Sequence, residues 1–175
     1  MLLPPLPPWD GAHPIIVHFP IALALLGPIP TLVGLFDRKR RWSWLVGSWL
    51  MLGTATVFAI VAVMSGGAAE EIAPRTAMIR AAIHEHEDLG EDARTLLIVL
   101  GVLFGVGLLF ARYTGARLKA FALPAIVVVL LAQCGAALLI ANTGHEGGKL
   151  VHELGVRAPM GRNAGEYPAD HDDDD

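Results

Sequence analysis

Four apolar runs of about 20 residues leave this chain few ways to fold. They span 14–36, 42–65, 95–113 and 121–143, and none holds an internal Asp, Glu or Lys. Arg112, at the end of the third, is their one charge. A helix rises about 1.5 Å per residue, so each run is long enough to cross a hydrocarbon core of about 30 Å. The whole chain is 54% hydrophobic with a mean hydropathy of +0.52, too apolar for a soluble domain with a polar surface. The expected fold is an all-α membrane protein, a four-transmembrane-helix bundle with both termini on the non-cytoplasmic side. Residues 1–13 read as a Pro-rich leader in which Leu3–Pro8 favours polyproline II, 14–156 as the membrane domain with an outward loop at 66–94, and 157–175 as an acidic, flexible tail.

The orientation comes from Lys and Arg in the loops. Arg38, Lys39, Arg40 and Arg41 crowd the first loop, and Arg117 and Lys119 sit in the third, just after Arg112. The long second loop has Arg75, Arg80 and Arg94, outnumbered by Glu70, Glu71, Glu85, Glu87, Asp88, Glu91 and Asp92. The basic loops belong in the cytoplasm, which sends both termini and the acidic loop outward. The N-terminus lacks a basic n-region, so a cleavable signal peptide is not expected. One cysteine, Cys134, excludes an internal disulfide and any thiolate cluster; it reads as a small buried hydrophobe.

Within the first run, Pro14 suits a helix start, whereas Pro20, Pro28 and Pro30 cannot donate to the carbonyls of Ile16, Ala24 and Leu26. That helix should be kinked. Trp42, Trp44 and Trp49 read as an interfacial belt at the cytoplasmic end of the second helix, which Ser65-Gly66-Gly67 should stop. The stretch 76–94 has no proline and one glycine, so it should contain helix, either extending the third membrane helix or lying on the membrane. At about 100° per residue, His86, Gly90, Gly101 and Gly105 share one arc, and Gly101-xxx-Gly105 is a close-packing pattern. His84 points away from that arc. Gly144, Gly147 and Gly148 permit a turn after the fourth helix, with 149–156 folding back over the outer end.

All seven histidines lie on the outward side of this topology. His18, His86 and His145 should reach one level on three helices and form the candidate cofactor site. His13, His84 and His152 are secondary candidates, and His171 belongs to the tail. Two facing imidazoles can ligate haem iron axially; three, with Glu85 or Glu146, can hold zinc or copper. The cofactor expected is therefore haem b or a transition metal on the same histidines. The chain has no Cys-x-x-Cys-His, His-Glu-x-x-His, phosphate loop, dinucleotide fingerprint or nucleophile elbow. No catalytic residue stands out.

Three segments carry a resemblance: the run from His13-Pro14 through His18-Phe19-Pro20 to Leu23; His86-Glu87-Asp88-Leu89-Gly90; and Gly147-Gly148-Lys149-Leu150-Val151 with Gly155-Val156. Over roughly 13–156 the chain resembles the bacterial membrane proteins of DUF2231, a domain of unknown function. Members often place a histidine immediately before the glycine matching Gly155, where this chain has Leu154. The resemblance implies a multi-pass protein of the bacterial inner membrane, in a family whose members look redox-associated. The expected role is an outward-facing histidine site serving electron transfer, as a subunit of a redox complex. The alternatives are a cofactor-free structural or assembly subunit and a metal or proton transporter. Partners would be lipid and membrane proteins or further copies of the chain, with no nucleic acid.

Overall fold

The computed structural model describes residues 7–71, 73–74, 76–114 and 119–156. The start of the leader, the acidic tail with His171, and Arg75 and Arg117 lie outside the described residues. Four helical stretches are long and apolar enough to cross a membrane: His13–Phe36, Arg41–Glu70, Ala77–Thr114 and Leu123–His152. No strand occurs among the described residues.

The prolines divide the first stretch into α1 (His13–Ile16), α2 (His18–Leu26) and α3 (Pro28–Phe36). The joints at Val17 and Gly27 keep right-handed helical dihedrals, and the Gly27 N–H still reaches the Leu23 carbonyl at 2.8 Å. The stretch is thus one membrane pass with two interruptions, each beside a proline that cannot donate. Arg41 then closes the end of α3. Its Nε and Nη2 donate to the Gly34 and Leu35 carbonyls at 2.9 and 3.2 Å, acceptors that a helix C-terminus leaves free.

The remaining helices exceed the apolar runs. α4 (Arg41–Glu70) has 30 residues, α5 (Ala77–Thr114) has 38 and α6 (Lys119–His152) has 34. Most of the expected outward loop at 66–94 is therefore helical, and only 71–76 joins α4 to α5. Of the two arrangements open for 76–94, the extension of the third helix is the one present. Gly66 and Gly67 do not stop α4, and the expected turn at Gly144–Gly148 is absent, because α6 runs on to His152. Glycine costs a helix about 1 kcal/mol relative to alanine, which packing readily overrides. The real stop is Gly155. Its φ of +68° favours glycine, and the Val156 N–H turns back to the Leu150 carbonyl at 2.9 Å.

The four passes form a square. α4 packs on α5, α5 on α6, and the α2–α3 pass on both α4 and α6, while neither diagonal pair makes a close backbone approach. Ala55 and Leu97 are fully enclosed at the centre, with Leu52, Leu100, Phe104, Ala136 and Ile140 around them. Large apolar side chains such as Val57, Leu103, Phe110, Val128 and Leu131 face outward. Such a surface suits lipid and would be a liability in water.

Two tryptophans do more than line an interface. Trp44 donates its indole N–H to Asp37 Oδ2 at 3.1 Å, pinning the α3–α4 turn. Trp49 lies on the Gly101–Gly105 face of α5 and donates to the Gly101 carbonyl at 2.9 Å. The Gly101 carbonyl accepts the indole proton and Gly105 leaves room for the ring, so Trp49 also pegs α4 to α5.

Candidate functional site

The end of the bundle that carries His13 and His86 is not filled. A cavity of about 460 Å³ opens there, bounded by all four passes. Its walls are largely apolar, with Val17, Pro20, Ile21, Ala59, Val63 and Ile140 among them. The polar wall groups include His13, His18, His86, His152, Glu70 and Glu87.

His13 and His86 meet across a diagonal of the square. Their ring centroids are 6.1 Å apart and their planes stand at 86°. Each ring is half-buried and tied to the next helix. His13 Nδ1 lies 2.9 Å from the Ala62 carbonyl on α4, and His86 Nδ1 lies 3.0 Å from the Thr143 carbonyl on α6. A carbonyl can only accept, so in both rings Nδ1 carries the proton. The tautomer follows: Nε2 of each neutral ring retains its lone pair. Ser65 reinforces the first bond, donating to the Ala62 carbonyl at 3.0 Å while its oxygen stands 3.2 Å from His13 Nδ1.

Glycines make room for both rings. A Cβ on Gly66 would stand 3.2 Å from His13 Cε1, and one on Gly147 only 2.8 Å from His86 Cε1. A side chain at Gly147 would push the imidazole away. Sequence patterning missed this role, because Gly66-Gly67 and Gly147-Gly148 read there as stops and turns. The two glycine pairs lie near helix ends, at the same end of the bundle as His13 and His86.

The other histidines are placed as follows. His18 is exposed at the cavity wall, and its Nδ1 donates to the Pro14 carbonyl one turn earlier, at 2.6 Å. It has the same tautomer as the central pair. His152 walls the cavity at the end of α6 but is exposed. His145 is exposed and is not a wall residue; its neighbour Glu146 pairs with Lys149 at 2.7 Å. Glu85 is exposed beside His84. His84 also lies off the wall, with Nδ1 3.7 Å from Glu87 Oε2. Together with Glu70 it makes a mixed set: one ligand atom from each of Glu70, His84 and Glu87 lies within 4.8 Å of the others. Thus the structure joins His86 to His13 and His18 around one cavity, and leaves His145 outside it. The α-helical register explains the difference, because α6 continues through Gly144 and carries Gly147, not His145, to the face opposite His86.

A family model for predicted membrane proteins matches residues 10–159. The chain belongs to the DUF2231 family. No curated protein and no solved structure matches it. Every wall residue of the cavity falls inside the DUF2231 match.

The fit of a metal centre can be judged from the donor set. Metal–imidazole bonds of about 2 Å hold two ring centroids on one ion roughly 5–6 Å apart. The observed 6.1 Å is close to that range, and from this edge-to-face start one imidazole must turn before both Nε2 atoms can meet one ion. A cavity of this volume is far larger than one ion needs and matches the range for organic cofactors, roughly 300–1,000 Å³.

Proposed function

We propose that this DUF2231 protein holds haem b in the outer cavity, through Nε2 of His13 and His86, and serves electron transfer as a subunit of a membrane redox assembly. One observation carries the reading: both Nδ1 protons are committed to backbone carbonyls on neighbouring helices, which leaves two Nε2 lone pairs around a single cavity. Metal-bound histidines commonly use their second nitrogen this way, since the carbonyl fixes both tautomer and ring orientation. His18, of the same tautomer, is the third candidate ligand. When bound, haem would supply one-electron chemistry, and the chain's part is to orient the imidazoles and surround the group with apolar walls.

The proposed orientation puts this cavity on the outer side of a bacterial inner membrane. Arg38–Arg41 lie at the opposite end of α4 from Gly66 and the histidines, and such basic loops stay in the cytoplasm. An outward cavity would exchange electrons with a periplasmic or membrane partner.

A second reading, a divalent transition-metal ion, is favoured by the Glu70–His84–Glu87 set at the cavity rim. One imidazole and two carboxylates suit zinc or a similar ion. The two readings separate in one experiment. The detergent-purified protein is examined by absorption, oxidised and reduced, with elemental analysis of the same sample. A Soret band with sharp reduced bands supports haem. Stoichiometric zinc or copper without those bands supports a transition-metal ion in place of haem, and a colourless protein without metal contradicts both.

A further inference from the structure

Far from the histidines, in the middle of the bundle, four polar groups meet among fully apolar neighbours. Thr31 and Ser48 are completely enclosed and Gln133 is 3% exposed. Ser48 Oγ donates its only proton to the Gly27 carbonyl at 2.8 Å. It must therefore accept from its other two partners, the Thr31 hydroxyl at 2.7 Å and Gln133 Nε2 at 2.9 Å. With the Ser48 proton on the Gly27 carbonyl, the Gln133 amide presents Nε2 to Ser48. With the amide turned over, two acceptors would face each other with no proton between them. Oε1 then points away from Ser48, and it has no partner among the described residues.

An orphaned amide oxygen is expensive in a membrane interior, roughly 1–3 kcal/mol, because lipid offers it nothing. Gln133 walls a small cavity of about 10 Å³ that it shares with Ala24, Gly27, Pro28, Leu52, Leu97 and Ala136. Ala24 brings a second acceptor. Its carbonyl would receive the i+4 helical proton, and residue i+4 is Pro28, which has none. Gln133 and Ala24 both wall this cavity, so a small molecule with two donors placed in it can serve both acceptors. A site of roughly 10–15 Å³ admits one water and nothing larger.

We propose that this cavity is a binding site for a single water molecule, which donates to Gln133 Oε1 and to the Ala24 carbonyl. The water would complete a polar node joining three passes: the first through Ala24, Gly27 and Thr31, the second through Ser48, and the fourth through Gln133. It would also stabilise the interruption of the first pass at Gly27–Pro28, which lies between the cytoplasmic basic loop and the histidine cavity. The inference does not depend on the cofactor reading.

The test is a map of the full-length protein at a resolution where ordered waters are visible. A peak within hydrogen-bonding distance of both Gln133 Oε1 and the Ala24 carbonyl is expected, and an empty cavity in such a map overturns the proposal. A second measurement is independent of crystals. Gln133→Met keeps the side-chain length and removes the amide. If Oε1 is satisfied by water, the variant loses the node and melts lower in detergent than the parent, by at least roughly 2–4 °C. If Oε1 is bare, removing it relieves a penalty, and an unchanged or raised Tm would contradict the water site.

Discussion

His13 and His86 face each other edge to face, 6.1 Å between centroids, although α1 and α5 make no close backbone approach. They meet only because each side chain reaches across a diagonal of the square. Each is held from behind by a carbonyl and a glycine on a third helix. The pair is thus positioned by α4 and α6, the two helices that contribute neither imidazole. That arrangement predicts effects at residues with no ligating atom of their own.

The glycine cradles should rank in a fixed order. A Cβ at Gly147 meets His86 Cε1 at 2.8 Å, a separation real Cβ atoms do not adopt, whereas at Gly66 the closest approach to His13 is 3.2 Å. Gly147→Ala should displace its ring and lower cofactor content more than Gly66→Ala does. Haem or metal per protein, measured on both purified variants, checks this. Equal retention in the two would show that ring placement does not depend on these contacts.

The Trp49 peg gives a second contrast within one helix. A Cβ at Gly105 would stand 2.8 Å from Trp49 Nε1, while one at Gly101 meets nothing nearer than Thr56 Oγ1 at 3.8 Å. Gly105→Ala should cost about 1–3 kcal/mol through overpacking, and Gly101→Ala should be close to neutral. Thermal unfolding in detergent measures both. A larger loss for Gly101→Ala would mean that Trp49 does not occupy this face.

The α3–α4 turn should weaken in acid. Asp37 accepts the Trp44 indole proton and the Arg40 backbone N–H, both at 3.1 Å, and these bonds hold its carboxyl below the usual carboxylate range. A lowered folded pKa stabilises the fold at pH values above the unfolded pKa. That contribution is lost as pH falls through the folded value. Asp37→Asn should therefore melt below the parent at neutral pH, with the gap closing in acid. A gap that stays constant to below pH about 3 would remove the carboxylate's role.

Topology can be read by labelling. Cys134 is exposed on α6 and not buried as its sequence context suggests; with it replaced, a cysteine at Glu85 should react with an impermeant thiol reagent from the periplasmic side, and one at Lys39 should not. Both positions are exposed. The reverse pattern would turn the cavity to the cytoplasm.

The sequence made some of this readable and hid the rest for physical reasons. Membrane passes show in hydropathy because lipid demands about 20 apolar residues per crossing. The proline interruptions show because a missing N–H has local consequences. Helix ends were harder. The acidic stretch before Arg94 reads as helix, but its polarity leaves open whether it extends the third pass or lies on the membrane; α5 continues through it, with Ile83 and Ala93 buried. The inward direction of His86 followed from periodicity. The choice of His13 over His145 as its companion did not, since it depends on α6 staying helical through Gly144–Gly148, where glycine argues for a turn. Glu70 and the carbonyls of Ala62 and Thr143 left no mark in the pattern at all.

The central claim is that His13 and His86 hold one cofactor jointly. Its most direct test is bound haem per protein for His13→Ala, His86→Ala and the double variant, with His145→Ala as control. If the two imidazoles act as one ligand set, each single variant loses nearly as much haem as the double, a non-additive result, and the control stays near the parent value. Haem retained in full by the double variant, or lost as strongly in His145→Ala as in His86→Ala, would contradict the account.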